Sequence, residues 1–191
     1  MNKELILASG SPRRKELLQQ LHIPFSVHVS NVDEKVNHNY SPSEVVMDLA
    51  LQKASDVATL YPNHIVLGSD TVVVYKDSIL GKPASEAEAV KTLEMLSGKK
   101  HQVLTGVALV EGEQVQTFYE KTDVEFWPLT VDEITQYVRT GEPMDKAGSY
   151  GIQGLGAVFV KSIQGDYFSV VGLPLSRTIR ELRKRGFVYS I

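Results

Sequence analysis

The stretch from His101 to Trp127 reads HQVLTGVALVEGEQVQTFYEKTDVEFW, and it decides the fold class. It is rich in Val, Thr, Phe and Tyr, the β-branched and aromatic types that suit a pleated, half-buried surface. Glu111-Gly112-Glu113 interrupts it near its middle, so the stretch predicts a long β hairpin. Just upstream, Ser85 with Glu88 makes a helix-capping pattern. Ala89, Val90, Leu93 and Leu96 form that helix's apolar stripe, and Gly98 stops it. Val72 to Tyr75 and Ile65 to Leu67 read as two short apolar strands. Ahead of them Ser41, Pro42 and Glu44 open a helix with a capping box. Val45, Val46, Leu49, Ala50, Ala54 and Val57 give it a buried face, and Lys53 lies beside that stripe.

Phe25, Val27 and Val29 alternate with polar residues as a strand. Leu5 to Ala8 is an apolar run that stops at Ser9-Gly10-Ser11, after which Pro12 opens a helix carrying Leu17, Leu18 and Leu21. Downstream of the hairpin, Thr130 and Glu133 cap a helix through Ile134, Tyr137 and Val138 that ends at Gly141. Gly148 to Gly156 holds four glycines and predicts a loop that something approaches closely. Ala157 to Ile163 and Tyr167 to Val171 flank Gln164-Gly165-Asp166 and predict another hairpin. Pro174 opens a last helix that buries Leu175, Ile179 and Leu182. Mixed α/β with strong antiparallel content follows. There are no repeats and no linker long enough to separate independent domains.

The chain has 191 residues, a length at which folding buries about 70% of the unfolded chain's surface. Hydrophobic residues make up 42% and charged residues 23%, which excludes an intrinsically disordered chain. Cysteine is absent, which removes disulfide scaffolds, thiol nucleophiles and cysteine-ligated metals. Lys+Arg 20 against Asp+Glu 23 gives a net charge of −3 and argues against bulk nucleic-acid binding. The basic run Arg177 to Arg185 reads as the solvated face of the last helix. No apolar run reaches the length of a membrane span, and MNKELILASGSPRR lacks the apolar core of a signal peptide, so a cytoplasmic location is expected.

Several catalytic and binding signatures are missing. Gly81-Lys82-Pro83 is not a phosphate loop, and Gly151 to Gly156 runs GxxGxG, the wrong order for a dinucleotide fingerprint. There is no GxSxG elbow. His22, His28, His38, His64 and His101 lack metal-ligand spacing. What remains is a set of polar groups that a bland domain does not need. Ser9, Ser11, Arg13 and Arg14 sit where a strand passes into a helix N-terminus, whose N–H groups attract anions. Two arginines there oppose the helix dipole. They are either solvated or placed to meet a polyphosphate. Asp70 lies in Gly68-Ser69-Asp70-Thr71 between two apolar runs, where a carboxylate needs a partner. Lys82 follows in a turn, and Asp145 to Gly154 is dense in groups that bind bases or phosphates. Asp33 and Glu34 either bind a divalent cation or are loop charges. Together these features point to a metal-dependent enzyme acting on a small phosphorylated substrate.

The motifs SGSPRR at Ser9 to Arg14, GSDTVV ending at Val73, LGKP at Leu80 to Pro83 and DKAGSYGIQG at Asp145 to Gly154 resemble the Maf family of nucleotide pyrophosphatases. Glu34, Lys53, Ser97-Gly98, Thr105-Gly106, Gly165-Asp166-Tyr167 and Val171-Gly172-Leu173-Pro174 extend the likeness over nearly the whole chain. The resemblance implies a single domain over residues 1–191 with the inosine-triphosphate-pyrophosphatase-like (Maf/Ham1) fold. That fold is an elongated curved mixed sheet with flanking helices, in two lobes around a cleft. It also implies the branch acting on dTTP and UTP, which Arg13, Thr71 and Gln153 mark, and it makes Asp70 the proton acceptor.

On that basis the expected reaction releases pyrophosphate from dTTP, UTP or modified uridine triphosphates. Glu34 and Asp70 hold Mg²⁺ or Mn²⁺, with Co²⁺ a further candidate. Ser9, Ser11, Arg14, Lys53 and Lys82 hold phosphates, and Arg13 reaches either a base carbonyl or a phosphate. A small-molecule nucleotide is the expected partner, with neither nucleic acid nor membrane, and a homodimer is what the resemblance favours. The family's septation phenotype supports a rival from another class, a non-catalytic nucleotide-sensing regulator of septum formation.

Overall fold

The computed structural model describes residues 3–188. Its strands are β1 (Leu5–Leu7), β2 (Ser26–Val27), β3 (Ile65–Tyr75), β4 (Ser78–Leu80), β5 (Lys100–Glu111), β6 (Gln114–Phe126) and β7 (Val160–Gln164). They form one seven-stranded mixed sheet in the order β2-β1-β3-β5-β6-β7, with β4 on β3. β1 is parallel to both β2 and β3, whereas β3–β4 and β6–β7 are antiparallel. The helices are α1 (Pro12–Gln20), α2 (Pro42–Ala58), α3 (Glu86–Leu96), α4 (Val131–Arg139), α5 (Tyr167–Val171) and α6 (Leu175–Lys184). Among the described residues, no helix is long and apolar enough to cross a membrane.

The chain divides into two compact units. One holds the chain up to Asp70, Thr105–Glu120 and the residues from Gly172 on; the other holds Thr71–Leu104 and Lys121–Val171. In the first unit, Ala50, Ala54 and Val57 of α2 pack against Ile6, Val66, Ala108 and Val110 of the sheet and Ala8 just beyond β1. Small residues let the helix backbone lie almost on the strands. A Cβ on Gly68 would run into the Ala50 carbonyl, and one on Gly106 into the Val46 carbonyl. The entry of α2 is set by a reciprocal box. The Ser41 hydroxyl accepts from the Glu44 N–H at 3.4 Å, and the Glu44 carboxylate accepts from the Ser41 N–H at 2.8 Å.

The core of the second unit joins α3 and α4 to the sheet through Leu93, Leu96, Val124, Phe126, Ile134, Tyr137, Tyr150 and Phe159. Phe126 and Tyr150 meet edge to face at 4.6 Å, as do Tyr137 and Phe159 at 4.8 Å. The predicted hairpin over 101–127 is present as β5 and β6, and the helices expected at Ser41, Ser85, Thr130 and Pro174 are all found.

Three expectations are corrected. Ile65–Leu67 and Val72–Tyr75 are one strand, not two, because the polar residues between them are paired rather than turned out: the Ser69 hydroxyl lies 3.0 Å from the Gly106 carbonyl oxygen. Tyr167–Val171 is a helix rather than the second arm of a hairpin. The Asp166 carboxylate accepts from the N–H groups of Phe168 and Ser169, both at 3.1 Å, and so caps a helix. β7 pairs instead with β6, with Ile163 opposite Val124. Finally, the strand read over 25–29 shrinks to Ser26–Val27, and both Val27 and Val29 are exposed.

The second unit also carries an acid-sensitive group. His101 is buried, its Nε2 lies 2.7 Å from the Tyr150 hydroxyl, and its Nδ1 has no hydrogen-bond partner. An imidazolium at that position leaves an N–H unpaired, and burial pulls the His101 pKa down from 6.5 to about 4. The unfolded chain therefore binds this proton at a higher pH than the folded chain does. The stability it represents is present above pH 6.5 and is lost as pH falls towards 4, a loss of roughly 3 kcal/mol. His101→Gln keeps a partner for Tyr150 but does not titrate. Urea unfolding at pH 7, 6 and 5 is expected to show a shallower acid-side slope for this variant than for the parent. Identical slopes would mean that His101 titrates normally.

Candidate active site

β1 and β3 run parallel with Leu7 beside Leu67, so the segments following both residues leave the pair at the same end. After β1 the chain passes through Ser9-Gly10-Ser11 into α1, with Ser11 at the N-cap and Pro12 in the first turn. The Ser11 side chain makes no capping bond; instead the Ser11 N–H donates to the Ser9 hydroxyl at 3.2 Å. Arg14 turns back over this loop. Its Nε donates to the Gly172 carbonyl at 2.7 Å and its Nη1 to the Ser9 hydroxyl at 3.2 Å. The hydroxyl of fully buried Ser69 lies 3.1 Å from the same Gly172 oxygen, so one carbonyl joins α1 to β3.

Burial draws the Arg14 guanidinium below its ordinary pKa, and neighbouring Arg13 adds to that, while the carboxylates of Asp70 and Glu34 pull the other way. A buried guanidinium attracts negative charge, and the two carboxylates offset part of that pull.

Lys53 rises from α2 towards β3, where its ammonium lies 2.6 Å from Asp70 Oδ1 and 3.2 Å from Glu34 Oε2. The Lys53 and Asp70 side chains are only 16% and 15% exposed, against 44% for Glu34. Glu34 comes from a segment without regular structure, and two side chains of α2 on either side of Lys53 hold that segment. The Asp56 carboxylate accepts from the Ser30 hydroxyl at 2.7 Å and the Asn31 N–H at 3.1 Å. The Gln52 amide accepts from the Lys35 N–H at 2.9 Å and donates to the Lys35 carbonyl at 2.8 Å. Sequence reasoning passed over Gln52 and Asp56. Their nearness to Lys53 in the chain was the available signal, but no local pattern ties them to residues 30–35.

Ser9, Ser11, Arg13, Arg14, Glu34, Lys53 and Asp70 thus all belong to the first unit, and direct bonds link Ser9 to Arg14 and Lys53 to both acids. Thr71, Lys82 and Gln153 belong to the second unit. Thr71 is half-buried in β3, whereas Lys82 and Gln153 are exposed in loops. Their two loops are tied together, since the Gly148 N–H donates to the Gly81 carbonyl at 3.1 Å. Gly148 lies so close to β3 that a Cβ there would stand 2.8 Å from Val73.

No group of three or more acidic or histidine side chains among the described residues is arranged to hold a metal. Glu34 and Asp70, gathered on one ammonium, are the pair of hard oxygen donors the site offers. That number suits Mg²⁺ or Mn²⁺, which take one or two protein carboxylates and complete their shell with water and substrate phosphates.

The family model described as "Maf-like protein" matches residues 4–185. A dTTP/UTP pyrophosphatase of Bacillus cereus (strain AH187) is 58% identical over 182 residues, covering 95% of each chain. The dTTP/UTP pyrophosphatase of strain G9842 is 59% identical over the same share of both chains. Among solved structures, a HAM1 protein from Coxiella burnetii aligns with a TM-score of 0.52 at 18% identity, covering 95% of this chain and 99% of its own. That last likeness concerns the fold.

Proposed function

The chain belongs to the Maf-like protein family, and from that membership we propose that it is a metal-dependent hydrolase converting dTTP and UTP to the monophosphate and pyrophosphate. The observation that carries the chemistry is the Glu34–Lys53–Asp70 cluster in the same unit as the helix N-terminus bearing Arg13 and Arg14. Lys53 engages Asp70 Oδ1, which leaves Oδ2 as the oxygen that takes a proton from water. The water oxygen bonds to the α-phosphorus, the bridging P–O bond to the β-phosphate breaks, and pyrophosphate leaves. Arg13, Arg14 and the N–H groups at the start of α1 bind and orient the triphosphate and stabilise charge growing on its oxygens. Glu34 and Asp70 would hold Mg²⁺ or Mn²⁺, which neutralises phosphate charge and lowers the pKa of a bound water. Incubation with dTTP or UTP and either metal is expected to yield the monophosphate and pyrophosphate. Release of nucleoside diphosphate and inorganic phosphate would overturn the assignment of the cleaved bond.

Base selection falls to Thr71 and Gln153, with Arg13 reaching either a base carbonyl or a phosphate. Uracil and thymine present two carbonyl acceptors around one N–H, and a recognition site for them needs donors and an acceptor together. The Gln153 amide supplies both, and Thr71 donates or accepts. A ring methyl discriminates by only about 1–3 kcal/mol, so dTTP and UTP are both accepted. Purines leave polar groups unpaired and are poor substrates. Gln153→Ala is therefore expected to narrow the pyrimidine-to-purine ratio of kcat/KM, whereas Lys82→Ala lowers all triphosphates together. A uniform loss in Gln153→Ala would place Gln153 with the phosphate-handling groups instead.

A further inference from the structure

Gln153 occupies the N-cap of a short 3-10 turn, Gly154–Phe159, and a carboxylate with its tyrosine partner holds the backbone on both sides of it. Glu142 Oε2 accepts from the Leu155 N–H at 3.0 Å, and Oε1 accepts from the Gly156 N–H at 3.1 Å. These amides open a helical turn and have no acceptor within it. Oε1 also accepts the Tyr137 hydroxyl proton at 3.0 Å, and the Tyr137 oxygen accepts from the Gly151 N–H at 3.3 Å. The chain is thereby clamped two residues before Gln153 and again two and three residues after it.

The clamp is itself anchored. Tyr137 is 5% exposed and packs edge to face on Phe159, and the Lys146 ammonium donates to the Glu142 carbonyl at 2.6 Å. Gly154 sits at φ +73°, and a Cβ there would lie 2.9 Å from the Glu142 carboxylate, so the acid fits directly under the turn. Desolvation pushes the Glu142 pKa up, but the bonds from Leu155, Gly156 and Tyr137 outweigh it and hold the carboxyl below its usual range. An ionised acceptor with three donors makes stronger bonds than a neutral one.

From this geometry we infer that Glu142 and Tyr137 are positioning residues for base selection, fixing the backbone from which Gln153 presents its amide. The inference rests on the reading of Gln153 as the group that recognises the pyrimidine. An exposed side chain on an untethered loop loses its aim, and a misplaced group that contacts the base rather than the reacting phosphorus weakens substrate binding.

Two variants test it. Glu142→Gln replaces an acceptor that serves backbone donors at both oxygens with an amide that turns an N–H₂ towards one of them. Tyr137→Phe deletes a single hydroxyl and keeps the ring in the core. Steady-state kinetics with dTTP, UTP, dATP and GTP are run beside Gln153→Ala. Each clamp variant is expected to raise KM for dTTP and UTP by about 10-fold, with kcat and purine activity near the parent values. Adding Glu142→Gln to Gln153→Ala changes the ratio no further, since both act through one group. Amide hydrogen exchange over 151–156 quickens in both clamp variants without any substrate present. If Gln153→Ala narrows the ratio and the clamp variants do not, the inference falls and the reading of Gln153 stands. If Gln153→Ala leaves the ratio unchanged, both fall. An equal loss on every substrate in the clamp variants also overturns the inference, because the clamp then serves only the fold.

Discussion

Asp70→Asn is expected to lower turnover of dTTP and UTP by about 100-fold or more, the typical contribution of a positioned general base. The substitution keeps the size of the side chain and a carbonyl for the Lys53 ammonium now 2.6 Å away, but it removes the charge that accepts a proton. It also leaves Lys53 paired with Glu34, 3.2 Å distant. Folding survives. Asp70 makes no part of either apolar cluster, and β3 is held by Ser69 and by the strands beside it. Pyrophosphate release at saturating substrate, together with a thermal melt, reads both halves of the expectation. A folded Asp70→Asn protein that turns over near the parent rate would move the base role to Glu34.

Gly106→Ala is expected to cost about 3 kcal/mol or more, at the upper end of the range for overpacking. The added carbon points into the backbone of α2 at Val46, with the Met47 nitrogen 2.7 Å away, and backbone cannot swing aside as a flexible side chain does. Relief requires α2 to lift from the sheet. Lifting it loosens the contact of Ala50, Ala54 and Val57 with the strands and shifts Lys53, Gln52 and Asp56 together. For a chain of this length the melting temperature falls by about 6–12 °C. Activity falls with it, because the helix that is displaced carries the ammonium between the two acids. Gly81→Ala is the control for stability: a Cβ there meets nothing within 4 Å. Equal melting temperatures for Gly106→Ala and Gly81→Ala would show that α2 has more room over β5 than its small residues imply.

Both expectations lie where reading along the chain was least complete. Helix starts were legible because their bonds close within three residues, as with Ser41 and Glu44 or Thr130 and Glu133. The hairpin of β5 and β6 was legible because its pattern and its turn lie next to each other. Tyr167–Val171 was misread as strand because its composition suits either state, and the Asp166 cap decided it. β3 was broken in two because Gly68-Ser69-Asp70-Thr71 carries the residues of a turn. The carbonyls of Gly106 and Gly172, 37 and 103 positions away, satisfy Ser69 and let the strand run on.

The same division holds for the site. By itself the sequence determined which residues are out of place in a plain globular domain: Asp70 between apolar runs, paired arginines in a first helical turn, and a glycine-rich loop around Gln153. Each is a conflict between a residue and its local surroundings, and such conflicts can be read without knowing the neighbours. Tertiary structure alone decided how they are partnered. Lys53 lies 17 residues from Asp70, Gly172 lies 158 from Arg14, and Glu142 reaches Gly156 across 14. The Lys53–Asp70 pairing follows from the close seating of α2 at Gly68 and Gly106. A carboxylate's role depends on which donors the fold delivers to it, and donors that distant in the chain leave no periodicity or spacing to read.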